Sequence, residues 1–358
     1  MHGNVIDMKA ALGIIEGYYG EPWSWQARAE TIAFLAPHGY GFYIYAPKAD
    51  LFLRERWQED HPPEPAQHLR ALAVRCRALG VRFGVGLSPF EIYRDFDRGA
   101  RAALARKLSF FADIGVQDLA ILFDDMKGDV PDLAETQVAI VHWIAERAAA
   151  GRLVVCPSYY SDDPLLDRVF GQRPANYLEE FGTRLDPSID VFWTGEEVCS
   201  REFTRGHLDR VCNLIGRKPV LWDNYPVNDG KRMSQYLHLR AFTGRPAEIA
   251  GSIAGHAVNP ALQPVLTRIP ALTLAQSYAQ GTAYEYGRAF DVAALAVAGS
   301  ELAQAIRRDL SLLQDTGLDR LGDAAERLRK CYGAFDHPAA REIVAWLDGK
   351  YRFQVDLG

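Results

Sequence analysis

Residues 118–129 read DLAILFDDMKGD: five consecutive apolar residues, Leu119 to Phe123, followed with no spacer by Asp124 and Asp125. A strand that is apolar at every position, rather than at every second one, has to be covered on both faces. That is the situation in a parallel sheet wrapped by helices. Outward from this stretch the same kind of run recurs as ALGIIEG from Ala11, GFYIYAP from Gly41, RFGVGLS from Arg82, RLVVCPS from Arg152, IDVFWTG from Ile189, KPVLWDN from Lys218 and EIAGSIAG from Glu248. Between the runs lie amphipathic stretches at 24–36, 65–79, 98–114, 134–149, 203–215 and 231–242, each long enough for a parallel crossover. Residues 262–278 read as an eighth helix interrupted by Pro264 and Pro270, and the Asp-, Pro- and Gly-rich connection 161–187 reads as largely loop. Eight such units predict an α/β fold, a (β/α)8 TIM barrel, over 1–285.

From residue 286 to 358 the pattern changes to ELAQAIRRDLSLL, DRLGDAAERLRKCYGAF and AAREIVAWL, three amphipathic helical stretches without intervening strands. They predict a small C-terminal helical appendage packed against the barrel, with Trp346 the candidate for an aromatic lid and an amphipathic face available to a second copy in a homodimer. A chain of 358 residues suits this division, because a barrel takes roughly 250.

Composition narrows the partners. At 48% hydrophobic residues the chain can fill a large core, while its net charge of −6 lacks the surplus of Lys and Arg that a phosphate backbone requires. Nucleic acid is therefore not an expected partner, and a neutral ligand is. Cys76, Cys156, Cys199, Cys212 and Cys331 are widely spaced with no CxxC pair, so they are expected as buried apolar thiols rather than a metal or redox centre. The opening MHGNVIDMKAAL has no basic segment followed by an apolar run, and no later stretch reads as the roughly 20 apolar residues of a membrane span. The expectation is a cytoplasmic protein with no membrane partner.

Barrel enzymes carry their chemistry at the carboxyl ends of the strands. In this chain those ends offer Glu16, Lys48, Ser88, Asp124 with Asp125, Ser158 with Tyr160, Thr194, Asp223 with Asn224, and His256 with Asn259. Alternation would send Asp124 and Asp125 to opposite faces, so both reach one pocket only if strand pairing ends at Asp124 and the backbone turns there. Two carboxylates this close resist ionising together, which yields a proton donor beside a charged partner. That split suits glycoside cleavage, although an ordinary retaining pair faces across the bond at roughly 5 Å. Neighbours in sequence approach from one side, so the substrate's own 2-acetamido oxygen is the better nucleophile. Two other readings of the pair are helix capping and, with Asp129, a hard-cation site.

Several of these segments resemble glycoside hydrolase family 84, the O-GlcNAcase and bacterial β-N-acetylglucosaminidase family. GIIEGYYGEPWSWQAR from Gly13 is similar to its opening strand and turn, YIYAPKAD from Tyr43 to its second strand, and Phe123-Asp-Asp to its catalytic strand. WTGEEV from Trp193, WDNYPVND from Trp222 and HAVNP from His256 follow in order, so the similarity spans 13–278. The resemblance implies that Asp124 polarises the substrate acetamido group and that Asp125 is general acid and base. It further implies that Gly17 offers its backbone to the sugar, Lys48 a hydrogen bond to a ring hydroxyl, and Tyr160, rather than Tyr159, a hydroxyl to the acetamido oxygen. Asn224 would support that region, Asp229 would grip the 4- and 6-hydroxyls, and Asn259 would bind the 3- or 4-hydroxyl. Thr194, Val198 and Trp222 would line the pocket for the acetyl methyl. The substrate implied is a β-GlcNAc-bearing glycoside or glycoprotein, cleaved without metal or organic cofactor. Ala49, Tyr18 and Glu21 depart from the family's usual acidic, Phe and basic residues, and those departures bear on substrate preference. Two competing functions are a sugar-binding protein without turnover and a metal-dependent barrel hydrolase using Asp124, Asp125 and Asp129.

Overall fold

The computed structural model describes residues 10–353, so the opening MHGNVIDMK and the last five residues of the helical appendage lie outside the described part. Eight parallel strands close into a barrel in sequence order: β1 (Leu12–Ile15), β2 (Tyr40–Tyr45), β3 (Arg82–Leu87), β4 (Asp118–Leu122), β5 (Arg152–Cys156), β6 (Asp190–Trp193), β7 (Val220–Asp223) and β8 (Gly255–Val258). Closure is made by β8 pairing with β1, Leu12 opposite His256. The helices are α1 (Trp25–Leu35), α2 (Pro63–Ala78), α3 (Arg98–Ile114), α4 (Leu133–Ala145), α5 (Pro164–Phe170), α6 (Tyr177–Arg184), α7 (Arg205–Ile215), α8 (Gly230–Met233) and α9 (Pro264–Gln280). The local causes are visible: Ser24, Asp97 and Thr204 each cap the helix that follows with a side-chain oxygen, and Gly39, Gly115 and Gly216 take the left-handed conformation where a helix stops.

Four expectations about the barrel's own elements need correcting. EIAGSIAG is not the eighth strand; Ala247–Ser252 is a 3-10 helix, and the strand is GHAV, further along. Its two isoleucines, Ile249 and Ile253, are four apart, a helical rather than an alternating spacing, and both pack into a satellite cluster with Phe203, Leu208 and Leu221. The helix expected at 231–242 shrinks to α8, because the backbone beyond it finds partners in the C-terminal region: Leu239 and Arg240 N–H donate to Gln314 Oε1 (both 2.8 Å) and Leu237 N–H to the Leu313 carbonyl (3.0 Å). The connection expected as loop holds α5 and α6. Pro264 opens α9 at its first turn, where a missing N–H costs nothing, and Pro270 lies inside α9 without ending it.

Beyond the barrel come α10 (Tyr286–Ser311), broken at Gly299 with φ +72°, α11 (Ala324–Gly333) and α12 (Pro338–Leu347). α10 packs along α9, and α12 reaches the same helix, where the Glu342 carboxylate accepts the N–H groups of Val265 and Leu266 (2.9 Å each) at its start. Trp346 is buried there with its indole N–H on the Ser234 carbonyl (3.2 Å), so it is a packing residue and not a lid. Contrary to expectation, the helix Tyr286–Thr316 is long and apolar enough to cross a membrane by length and composition; half of its most apolar window is buried within the fold. The thiols also differ from the expectation, since Cys76 and Cys156 are buried but Cys199 is exposed and Cys212 and Cys331 are partly so.

Candidate active site

The chain does turn where β4 ends. Asp125 adopts φ +57°, a left-handed conformation that Asp tolerates better than most residues, and this kink brings both neighbouring carboxylates to one cavity. The kink is braced from beneath: Phe123 N–H donates to the Cys156 carbonyl (2.9 Å), and Ser158 Oγ, itself held by Gln137 (2.8 Å), donates to the Phe123 carbonyl (3.0 Å). On the other side Arg54 donates to Ser88 Oγ (2.8 Å) and to the Asp125 carbonyl (3.0 Å).

The cavity, about 450 Å³, lies within the range of small-molecule sites. It is lined by Gly17, Asp124, Asp125, Tyr160, Thr194, Val198, Trp222, Asn224, Asp229 and Asn259, residues from strands β1, β4, β5, β6, β7 and β8 or the loops after them. Lys48 is not on the lining; its ammonium sits on Asp124 Oδ2. The second oxygen of that carboxylate, Asp124 Oδ1, is buried with no hydrogen-bond partner. Asp125 is held differently, by two phenols: Tyr160 donates to Oδ1 (2.9 Å) and Tyr19 to Oδ2 (3.0 Å). Burial, and then the charge of Asp125, holds both phenols protonated far above the usual tyrosine range, so both remain donors. Tyr159 turns away and donates to the Gly171 carbonyl (2.6 Å).

A chain of amides forms the opposite wall. Gly17 N–H donates to Asn259 Oδ1 (3.1 Å), Asn259 Nδ2 to Asn224 Oδ1 (2.9 Å), and Asn224 Nδ2 to the Val198 carbonyl (2.8 Å), while the Trp222 indole N–H shares Asn224 Oδ1 (3.1 Å). Since the Gly17 N–H is used here, its carbonyl is the backbone group it can offer a sugar. A Cβ at position 17 would lie 1.9 Å from the Trp222 ring, which is why only glycine fits. Asp229 accepts the Tyr19 N–H (2.7 Å), and burial pushes its carboxyl up to about 6.

Three contributors escaped the sequence reading. Tyr19 and Arg54 act through Asp125, and the only local signals were the second tyrosine after Gly17 and the first of two arginines in LFLRERW, 51–57. The third is α5, whose Leu165, Leu166, Val169 and Phe170 form an apolar wall of the cavity. Asp129 does not join the pair; it lies at the surface on Arg94 (3.0 Å). Among the described residues, no group of three or more His, Cys, Asp or Glu side chains is arranged to share a metal ion.

A closed parallel barrel whose strand ends bring two adjacent carboxylates into one cavity has the architecture of a (β/α)8 enzyme, with an acid pair suited to glycoside cleavage. The sequence pattern of the beta-N-acetylglucosaminidase family matches residues 12–310, and the chain belongs to that family. It is 31% identical over 257 residues to the protein O-GlcNAcases of mouse and rat, a match covering 69% of this chain but only 28% of those relatives. Among solved structures, a mutant O-GlcNAc hydrolase of Thermobaculum terrenum superposes with a TM-score of 0.80 at 28% identity, covering 96% of this chain and 81% of that one.

Proposed function

We propose that this chain is a retaining β-N-acetylglucosaminidase that removes terminal β-linked GlcNAc, with O-GlcNAcase-like specificity for the sugar and an oxazoline intermediate. The observation that carries the reading is the unequal treatment of two adjacent acids. Asp124 is buried, charge-paired through one oxygen and unpartnered at the other, which suits an acceptor waiting for the N–H of a 2-acetamido group. Asp125, steered by two phenols, faces the same cavity one residue further on.

In the first step, which uses the protonated form of Asp125, the acetamido oxygen bonds to the anomeric carbon, the glycosidic C–O bond breaks, and Asp125 gives its proton to the leaving oxygen. Asp124 accepts a hydrogen bond from the amide N–H and stabilises the positive charge that develops as the five-membered ring closes. In the second step water attacks the anomeric carbon from the side the leaving group vacated, Asp125 takes its proton, and the ring opens to release GlcNAc with configuration retained. Thr194, Val198 and Trp222 enclose the acetyl methyl, with Asn224 holding their loops together. Tyr160 reaches the acetamido oxygen when the substrate displaces it from Asp125. The Gly17 carbonyl, Asp229 and Asn259 take the ring hydroxyls, while Lys48, behind the lining, acts through the charge pair with Asp124.

Aryl β-N-acetylglucosaminides of graded leaving-group acidity test this. The chain should cleave them, and Asp125→Ala should slow a poor leaving group by about 10²–10⁴ while barely affecting a good one. Equal losses across the series would contradict the acid role.

A further inference from the structure

The apolar wall contributed by α5 has no part in the sugar chemistry above. The helix is fastened to the site at both ends. At its start Asp163 accepts N–H groups from Leu165 (2.9 Å) and from Val198 (3.2 Å); at its end the Phe170 carbonyl accepts the Gly128 N–H (2.8 Å) and the Val169 carbonyl the Lys127 ammonium (3.0 Å). The wall is thereby fixed to the same loop that carries Asp125. Leu165 nevertheless keeps 37% of its surface in solvent. Across that loop Phe90, 41% exposed, lies against the Arg54 guanidinium (5.2 Å), the group that holds the Asp125 carbonyl. Because β3 and β5 are the neighbours of β4 in the barrel, the loops that carry these apolar groups stand on the two sides of the Asp125 loop; Leu165, Val169 and Phe170 line the cavity, whereas Phe90 is outside its lining and is joined to Asp125 through Arg54.

A proton donor stands beside the leaving oxygen, so whatever departs must pass between them. We propose that Leu165, Val169 and Phe170 on one side and Phe90 on the other form a leaving-group site that selects substrates with a hydrocarbon or aromatic body next to the glycosidic oxygen. The inference rests on the glycosidase reading above. A second sugar in this position would bring hydroxyls that these side chains cannot hydrogen-bond, and such groups are costly to desolvate. An apolar body would instead cover the two exposed side chains.

The test uses three substrates whose leaving groups are all unactivated alcohols, the sugar hydroxyl being the most acidic of them: methyl β-N-acetylglucosaminide, its cyclohexylmethyl counterpart, and the β-linked disaccharide of N-acetylglucosamine. For the unaltered chain, kcat/KM should be about tenfold higher or more for the cyclohexylmethyl glycoside than for either of the others. Leu165→Asn and, separately, Phe90→Ser should bring the cyclohexylmethyl-to-methyl ratio toward one, with folding checked by circular dichroism. Equal rates on methyl and cyclohexylmethyl glycosides, a preference for the disaccharide, or a preference that survives both substitutions overturns this inference while leaving the glycosidase reading intact. Failure to cleave any β-N-acetylglucosaminide, aryl ones included, overturns both.

Discussion

Glu16 and Asp124 stand at the carboxyl ends of barrel strands, both buried and both facing a cation, yet the protein completes one and leaves the other unfinished. At the end of β1, Arg28 grips both oxygens of Glu16 (2.7 and 3.0 Å), Tyr43 donates to the first and Tyr18 to the second (3.3 Å). The guanidinium is itself packed over the rings of Trp25 and Tyr45. Burial pushes the Glu16 carboxyl above its ordinary value in spite of that company. At the end of β4, Lys48 holds one oxygen of Asp124 and the other has no partner. Asp223 follows the completed pattern: burial raises its carboxyl, but Arg245 on both oxygens (2.8 Å each) and His256 (3.0 Å) outweigh that and leave it below its usual range. A saturated buried acid holds the barrel mouth together, and an unsaturated one has capacity reserved for a ligand.

This contrast breaks most visibly if Asp124 is not where function lies. Asp124→Asn should lower kcat on an aryl β-N-acetylglucosaminide by about 10²–10³, since a neutral amide replaces the charge beside the developing oxazoline; unchanged turnover would remove it from the mechanism. The opposite half is tested at Glu16. Arg28→Met leaves that carboxylate buried without its cation and should cost about 3–5 kcal/mol of stability, read as a lower midpoint in denaturant titration. If the midpoint holds, the β1 cluster is not the fastening described here.

A smaller effect sharpens the comparison at Asp229, an acid intermediate between the two kinds. Its carboxyl is raised to about 6, so it gains a proton as pH falls through that value, and in the role proposed for it that proton weakens its hold on sugar hydroxyls. The kcat/KM profile should fall about tenfold between pH 7 and pH 5, and Asp229→Asn should flatten that limb. The stability that goes with a raised carboxyl runs the other way, full below its ordinary range near 4 and lost as pH rises through about 6. A limb that persists unchanged in the Asn variant would assign it to another group.

Much of this was legible because it is local. Continuous apolar runs marked seven strands, and an acid pair directly after one of them marked the site, since a strand that stays apolar to its last residue exposes whatever comes next. The polar ring at the strand ends was legible as a ring but not as two classes. Ser88, Ser158, Glu16, Asp223 and His256 turned out to be braces and fastenings, while Asp124, Asp125, Asn224 and Asn259 line the cavity. Even the departure Tyr18 is explained only by contacts, its hydroxyl accepting the Trp23 N–H (3.0 Å) while donating to Glu16.

By itself the sequence determined the barrel, its eightfold repeat and the place of the two catalytic candidates, because periodicity and burial are written in short stretches of chain. The tertiary structure alone decided which segment closes the barrel, that Lys48 pairs with Asp124, that Tyr19 reaches Asp125, and that 161–187 folds into two helices, the first of which walls the cavity. Those outcomes depend on hydrogen bonds and contacts between residues tens to hundreds of positions apart, and no local pattern records such partners.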